Sequence, residues 1–286
     1  MLELGTLVEK SFEMWPGVLR VAASGAGAHG AVEAGIDAAR EVAASLMSDA
    51  ELLTRGSVDV LPRGLAARGL LEAARGVMTL LPVEGSLPLL AGLPGAVCDV
   101  VVSAMRGVGD VEFVSATLGD ASAFYRSDHA PDKVLAGLPL MAGEFLRGLS
   151  SGCTSGGVAF AGTGRFFPTG GVADLIATLG EMASFSALSA AVLADAMVWP
   201  QATPRHRRIA DPLVAAAFED RKPVEAVGLM PPDEIWETLS KGMRMASRLR
   251  EKRILIAAAF ALKGRGRVTG PIAGDRLLRF GVSEWR

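Results

Sequence analysis

Residues 148–171 read GLSSGCTSGGVAFAGTGRFFPTGG. Glycine, serine and threonine crowd this stretch, so it can expose many backbone N–H groups on a chain that bends easily. It reads as a ligand-contacting loop. A strand over Leu175–Leu179 and a buried helix over Ser184–Met197 are predicted to follow, the helix rich in small residues that permit close packing on a sheet.

The same mixture of periods continues on both sides of this stretch. Upstream, Val18–Ala23 suits a strand, and Gly30–Ser48 an amphipathic helix in which Val32, Ile36, Ala39, Val42, Ala43 and Leu46 recur at spacings of three and four. A further helix is expected around Leu65–Leu80, then a loop through the proline- and glycine-punctuated Pro82–Pro94, then a buried helix over Gly95–Met105. Val111, Phe113 and Ala123–Arg126 read as short strands separated by a Gly119-Asp120 turn. Downstream, Pro231-Pro232-Asp233 starts a helix over Glu234–Lys252, whose basic end suits the helix dipole, and Ile254–Leu262 reads as an interior strand. Pro271–Arg286 lacks clear periodicity and reads as a C-terminal arm or a frayed tail.

A chain of 286 residues, half of them apolar, can bury a large core. The expectation is one domain over residues 1–270, with 106–110 as the boundary should it form two packed halves. Mean hydropathy is +0.35, but charge and proline interrupt the apolar runs: Ser86–Met105 contains Asp99 and two prolines, and Gly180–Trp199 contains Glu181 and Asp195. No membrane partner is expected. The first fifteen residues lack a secretory pattern, and Cys98 and Cys153 are too few for a disulfide framework, so a cytoplasmic protein is expected. A net charge of −2 gives no field to attract nucleic acid. The basic run Arg205-His206-Arg207-Arg208 reads as a solvated loop.

Four landmarks, taken in order, resemble a known family. They are Leu87-Pro88-Leu89-Leu90-Ala91-Gly92-Leu93-Pro94-Gly95-Ala96, Thr117-Leu118-Gly119-Asp120, Cys153-Thr154-Ser155-Gly156 and Gly171-Val172-Ala173-Asp174. The order is similar to that of the uncharacterised relatives of ApbE, the enzyme that moves FMN from FAD onto protein threonines, and the resemblance spans about Val18–Gly270. It implies an α+β chain of the ApbE-like fold, with mixed or antiparallel sheets flanked by helices, and a cleft for FAD, FMN or another nucleotide.

In that cleft the resemblance places Gly119, Asp120, Thr154, Ser155, Gly156, Thr163, Gly164, Arg165 and Asp174. Arg165 suits a forked pair with a phosphate, and Asp120 or Asp174 can accept from a ribose or base edge. The plainer alternatives are that the glycines serve turns, that Arg165 pairs with an acidic neighbour, and, the preferred reading for that residue, that Asp174 anchors a strand connection.

ApbE also needs a metal held by an Asp and a Thr on its late helix. Counting back from Asp195-Ala196-Met197 puts Ala187 and Ala191 at those positions. Neither can bind Mg²⁺, so no metal and no metal-assisted flavin transfer are expected. Cys153 reads as a packing residue rather than a nucleophile, and His129 as an exposed turn histidine. Three functional readings stay open: a nucleotide-binding enzyme or former enzyme, a non-catalytic subunit of a homo- or hetero-oligomer with Trp199, Trp236 and Trp285 as candidate contact residues, and an enzyme of one-carbon or sulfur metabolism.

Overall fold

The computed structural model describes residues 7–55, 62–78, 89–128, 135, 137–149, 153–165, 169–201, 205–206, 209–217 and 224–272. Within them the chain builds an α+β fold on one antiparallel sheet. Its strands, in spatial order, are β1 (Val8–Met14), β2 (Gly17–Ser24), β3 (Phe113–Leu118), β4 (Ala121–Arg126), β5 (Ser155–Ala161), β6 (Leu175–Gly180), β9 (Leu255–Leu262) and β10 (Arg265–Thr269). Two short strands, β7 (Arg205–His206) and β8 (Val224–Ala226), pair separately.

Alternation along the strands divides the sheet's two faces. Val21, Ala116 and Ala123 stand in one cross-strand row and join the larger core, with α1 (Ala28–Arg55), α3 (Leu89–Gly107), α5 (Ala183–Ala196) and α7 (Pro232–Glu251) packed over that face and α2 (Leu65–Met78) packed on α1, α3 and α5. Phe113, Phe124, Val158 and Leu179 point the other way into a second core, closed by Phe145 and Leu146 of α4 (Leu140–Arg147). The remaining short helix is α6 (Pro212–Ala217).

The period-based expectations for β2, α2, β4, β6, α5, α7 and β9 agree with these spans to within two residues, and that for α1 agrees at its start, although the helix runs on to Arg55 instead of stopping at Ser48. Four others need correction. Val111, expected in a short strand, lies before β3 begins at Phe113. The helix expected at Gly95 begins at Leu89, with Pro94 inside it. Burial decides this, because Leu89 to Cys98 are all buried and their packing outweighs the donor that Pro94 removes. The supposed loop over 148–171 contains strand β5, since Ser155–Ala161 pairs with β4 on one side and β6 on the other. Arg205 and His206 lie in a short strand rather than a loop. His129, Trp285 and residues 273–286 of the C-terminal arm lie outside the described residues.

Candidate functional site

The candidate site forms at one end of the sheet, where the β3–β4 turn meets the connection leaving β5. Leu118 pairs with Ala121, so Gly119 and Asp120 make a two-residue turn, and Gly119 has φ +55°, a conformation that side chains with a Cβ resist. The Phe160 N–H donates to the Asp120 carbonyl at 3.0 Å, which fixes the turn against the end of β5. A few residues on, Thr163 N–H donates to Ala173 O at 2.9 Å and Gly164 takes φ +75°. The chain thereby brings Arg165 back over the sheet end.

There the Arg165 Nη1 donates to Asp120 Oδ1 at 3.1 Å, and only 17% and 22% of the two side chains are exposed. The guanidinium lies 5.9 Å from the Phe160 ring centre, with its Nη2 3.5 Å from Met141 Sδ of α4. The cation is thus held by a carboxylate, an aromatic face and a thioether.

Behind the pair, between the sheet end and the helices, is a cavity of about 20 Å³. Asp120, Thr169, Ala91, Pro94, Ala187 and Ala191 contribute to its walls. Thr169 is 2% exposed, and among the described residues its Oγ1 has no hydrogen-bond partner. Its backbone is firmly placed: the Thr169 carbonyl accepts from Val224 N–H at 3.1 Å, and the next amide, Gly170 N–H, donates to Asp195 Oδ1 at 2.7 Å. Sequence reasoning missed Thr169, because an isolated threonine before two glycines carries no periodic or motif signal.

The nine predicted residues separate into two sets. Gly119, Asp120, Thr163, Gly164, Arg165 and Asp174 gather at this end of the sheet. Thr154, Ser155 and Gly156 do not join them. Ser155 pairs with Tyr125, four residues along β4 from Ala121, which places it about 13 Å from the turn. Thr154 O instead accepts from Arg126 N–H at 2.7 Å.

Asp174 serves the scaffold. Its carboxylate accepts from Lys263 N–H and so fixes the β9–β10 hairpin, whose turn residues Lys263 and Gly264 have φ 47° and 72°. Burial pushes the Asp174 carboxyl above its ordinary value, opposed by that hydrogen bond.

No family model matches this chain, and no curated protein matches it.

Chemistry away from the crevice is sparse. The half-buried Cys153 thiol donates to Ser155 O at 2.9 Å, and burial pushes its pKa up, the reverse of an activated thiolate. Among the described residues no three His, Cys, Asp or Glu side chains converge as a metal group. Trp199 packs against the main core, and Trp236 stays 37% exposed, with the Arg267 guanidinium 4.6 Å from its ring centre.

Proposed function

We propose that this chain is an ApbE-like protein that binds a flavin or another nucleotide over the Asp120–Arg165 crevice, without metal-assisted flavin transfer of the ApbE kind. One observation carries the reading. The sequence resemblance assigns the lost metal ligands to Ala187 and Ala191, and both residues line the cavity that Asp120 also lines. Both lie one turn apart on the buried face of α5, which packs on β4 and β5 beside the turn.

The chemistry is consistent. A guanidinium already oriented by a carboxylate and an aromatic ring needs little ordering before it engages a phosphate. The cavity itself takes one small group, so most of a nucleotide lies outside it, over Thr163, Gly164 and Arg165. With methyl groups at 187 and 191, no oxygen from α5 reaches the cavity at those two positions to complete a magnesium shell.

Calorimetric titration of the full chain with FAD, FMN and ADP, in EDTA and again in Mg²⁺, tests this. At least one ligand should bind equally in both buffers, and Arg165→Gln should weaken it about tenfold or more. Absence of binding by all three, or binding that requires Mg²⁺, would overturn the proposal.

A further inference from the structure

A second cavity, of about 330 Å³, lies beside β1 and shares no lining residue with the first. Strand register builds its floor. Ser11, Arg20, Thr117 and Ser122 are cross-strand partners in one row, and alternation turns them to the face that carries Phe113 and Phe124. Glu9 and Ala22 pair in the next row on that face. Glu9, Ser11, Arg20, Ala22 and Thr117 all line the cavity. Its wall is the segment 137–139, held down on the sheet by Ser115 Oγ, which donates to Gly137 O at 2.9 Å. The approach is so close that a Cβ on Gly137 would come within 2.7 Å of Phe113 Cε1 and 3.1 Å of Ala22 Cβ.

Size and charge together define what fits there. The volume falls within the roughly 300–1,000 Å³ of small-molecule sites. Arg20 is exposed, and among the described residues its side chain makes no ion pair or hydrogen bond, although Glu9 and Glu13 stand diagonally across from it. Its guanidinium is therefore a forked donor ready for a carboxylate or a phosphate. Glu9 lines the same cavity and repels a second negative charge, which favours a carboxylate over a phosphate dianion. The same Glu9 attracts an ammonium. Diagonal neighbours of this kind start about 7–8 Å apart, within reach of long side chains converging on one small ligand. Between the two charges stand the hydroxyls of Ser11 and Thr117, and Ala22, Leu138 and Pro139 add an apolar side.

We infer that this cavity binds a small apolar amino acid, with its carboxylate on Arg20, its ammonium on Glu9 and its side chain against Ala22, Leu138 and Pro139. The site goes beyond the nucleotide reading and does not depend on it.

Calorimetric titration of the full chain with L-leucine and L-valine tests this, each compared with its deaminated acid (4-methylpentanoate, 3-methylbutanoate) and its decarboxylated amine (3-methylbutylamine, 2-methylpropylamine). At least one amino acid should bind saturably, and both of its fragments should bind about tenfold or more weakly. Arg20→Gln should weaken the amino acid by a similar factor while keeping the wild-type melting temperature, because Arg20 is exposed. Glu9→Gln should bind the amino acid no more tightly than the deaminated acid.

Failure of both amino acids to bind, a fragment that binds as tightly as its parent, or wild-type affinity in Arg20→Gln would each overturn the inference. Nucleotide binding over Asp120 and Arg165 would stand or fall separately, by the FAD, FMN and ADP titrations.

Discussion

Ala187 is 6% exposed and lines a cavity that Asp120 also lines. Replacing it with aspartate places a second carboxylate beside Asp120, and two anions in a space walled by alanines repel unless a cation intervenes. Ala187→Asp should lower the melting temperature in EDTA by the equivalent of about 2–4 kcal/mol, and Mg²⁺ or Mn²⁺ should recover part of the loss. Thermal unfolding in the two buffers measures this, and a loss unaffected by the divalent ion would show that position 187 does not face Asp120. At this scale the sequence was half legible. Asp120 stood out in the turn motif and Arg165 in the glycine-rich stretch, but their ion pair spans 45 residues and appears only when β4 and β5 align.

The glycine-rich stretch shows at the scale of elements why a true compositional signal can be misread. Gly157 faces the helix layer, and a Cβ there would come within 2.0 Å of Ala183 Cα, while one on Gly171 would come within 1.7 Å of Ala194 O. Gly95 of α3 is as tight, at 2.1 Å from Ala183 O. These glycines let α5 lie against β5 and α3, so the composition reported a close helix approach as much as a ligand loop.

The same junction is tied by Asp99 of α3, whose carboxylate oxygens accept from Ala183 N–H at 2.8 Å and Ser184 N–H at 2.9 Å, the orphan donors at the start of α5. Burial raises the Asp99 carboxyl above its ordinary value of 3.8, and the Ser184 and Ala183 hydrogen bonds oppose that rise. With the folded state binding its proton more tightly than the unfolded, the contribution from this ionisation is fully present below the unfolded pKa and is lost as pH rises through the folded one. The stability of wild type minus that of Asp99→Asn should therefore fall as pH rises from about 4, by about 1.4 kcal/mol for every tenfold difference in proton affinity between the two states. Denaturant unfolding of both proteins across pH 3 to 8, ~0.5 pH apart, provides the comparison, and a difference that grows with pH would mean the hydrogen bonds at α5 outweigh burial.

For the whole molecule, α3 decides what kind of protein this is. By length and composition alone it is able to cross a membrane, with 19 residues and a mean hydropathy of 1.5, and it is the one described helix that passes that test. Its surroundings argue otherwise: 72% of the apolar stretch is buried, Val97 and Val101 are fully enclosed, and the helix packs against α1, α2, α5 and the β3–β4 hairpin. A spanning helix would turn those faces to lipid and strip the sheet of its cover. The sheet edges also suit an aqueous surface, with Glu9, Lys10 and Glu13 along β1 and Arg265 and Arg267 along β10, charges that discourage edge-to-edge pairing. The chain should therefore enter the aqueous phase in a detergent-partition experiment. Val101→Asp should abolish its cooperative unfolding, because an unpaired buried charge costs several kcal/mol, a large share of the roughly 5–15 kcal/mol that holds a domain together. Recovery of the wild-type chain in the detergent phase would instead make α3 a membrane segment and remove the helix layer on which the crevice is built.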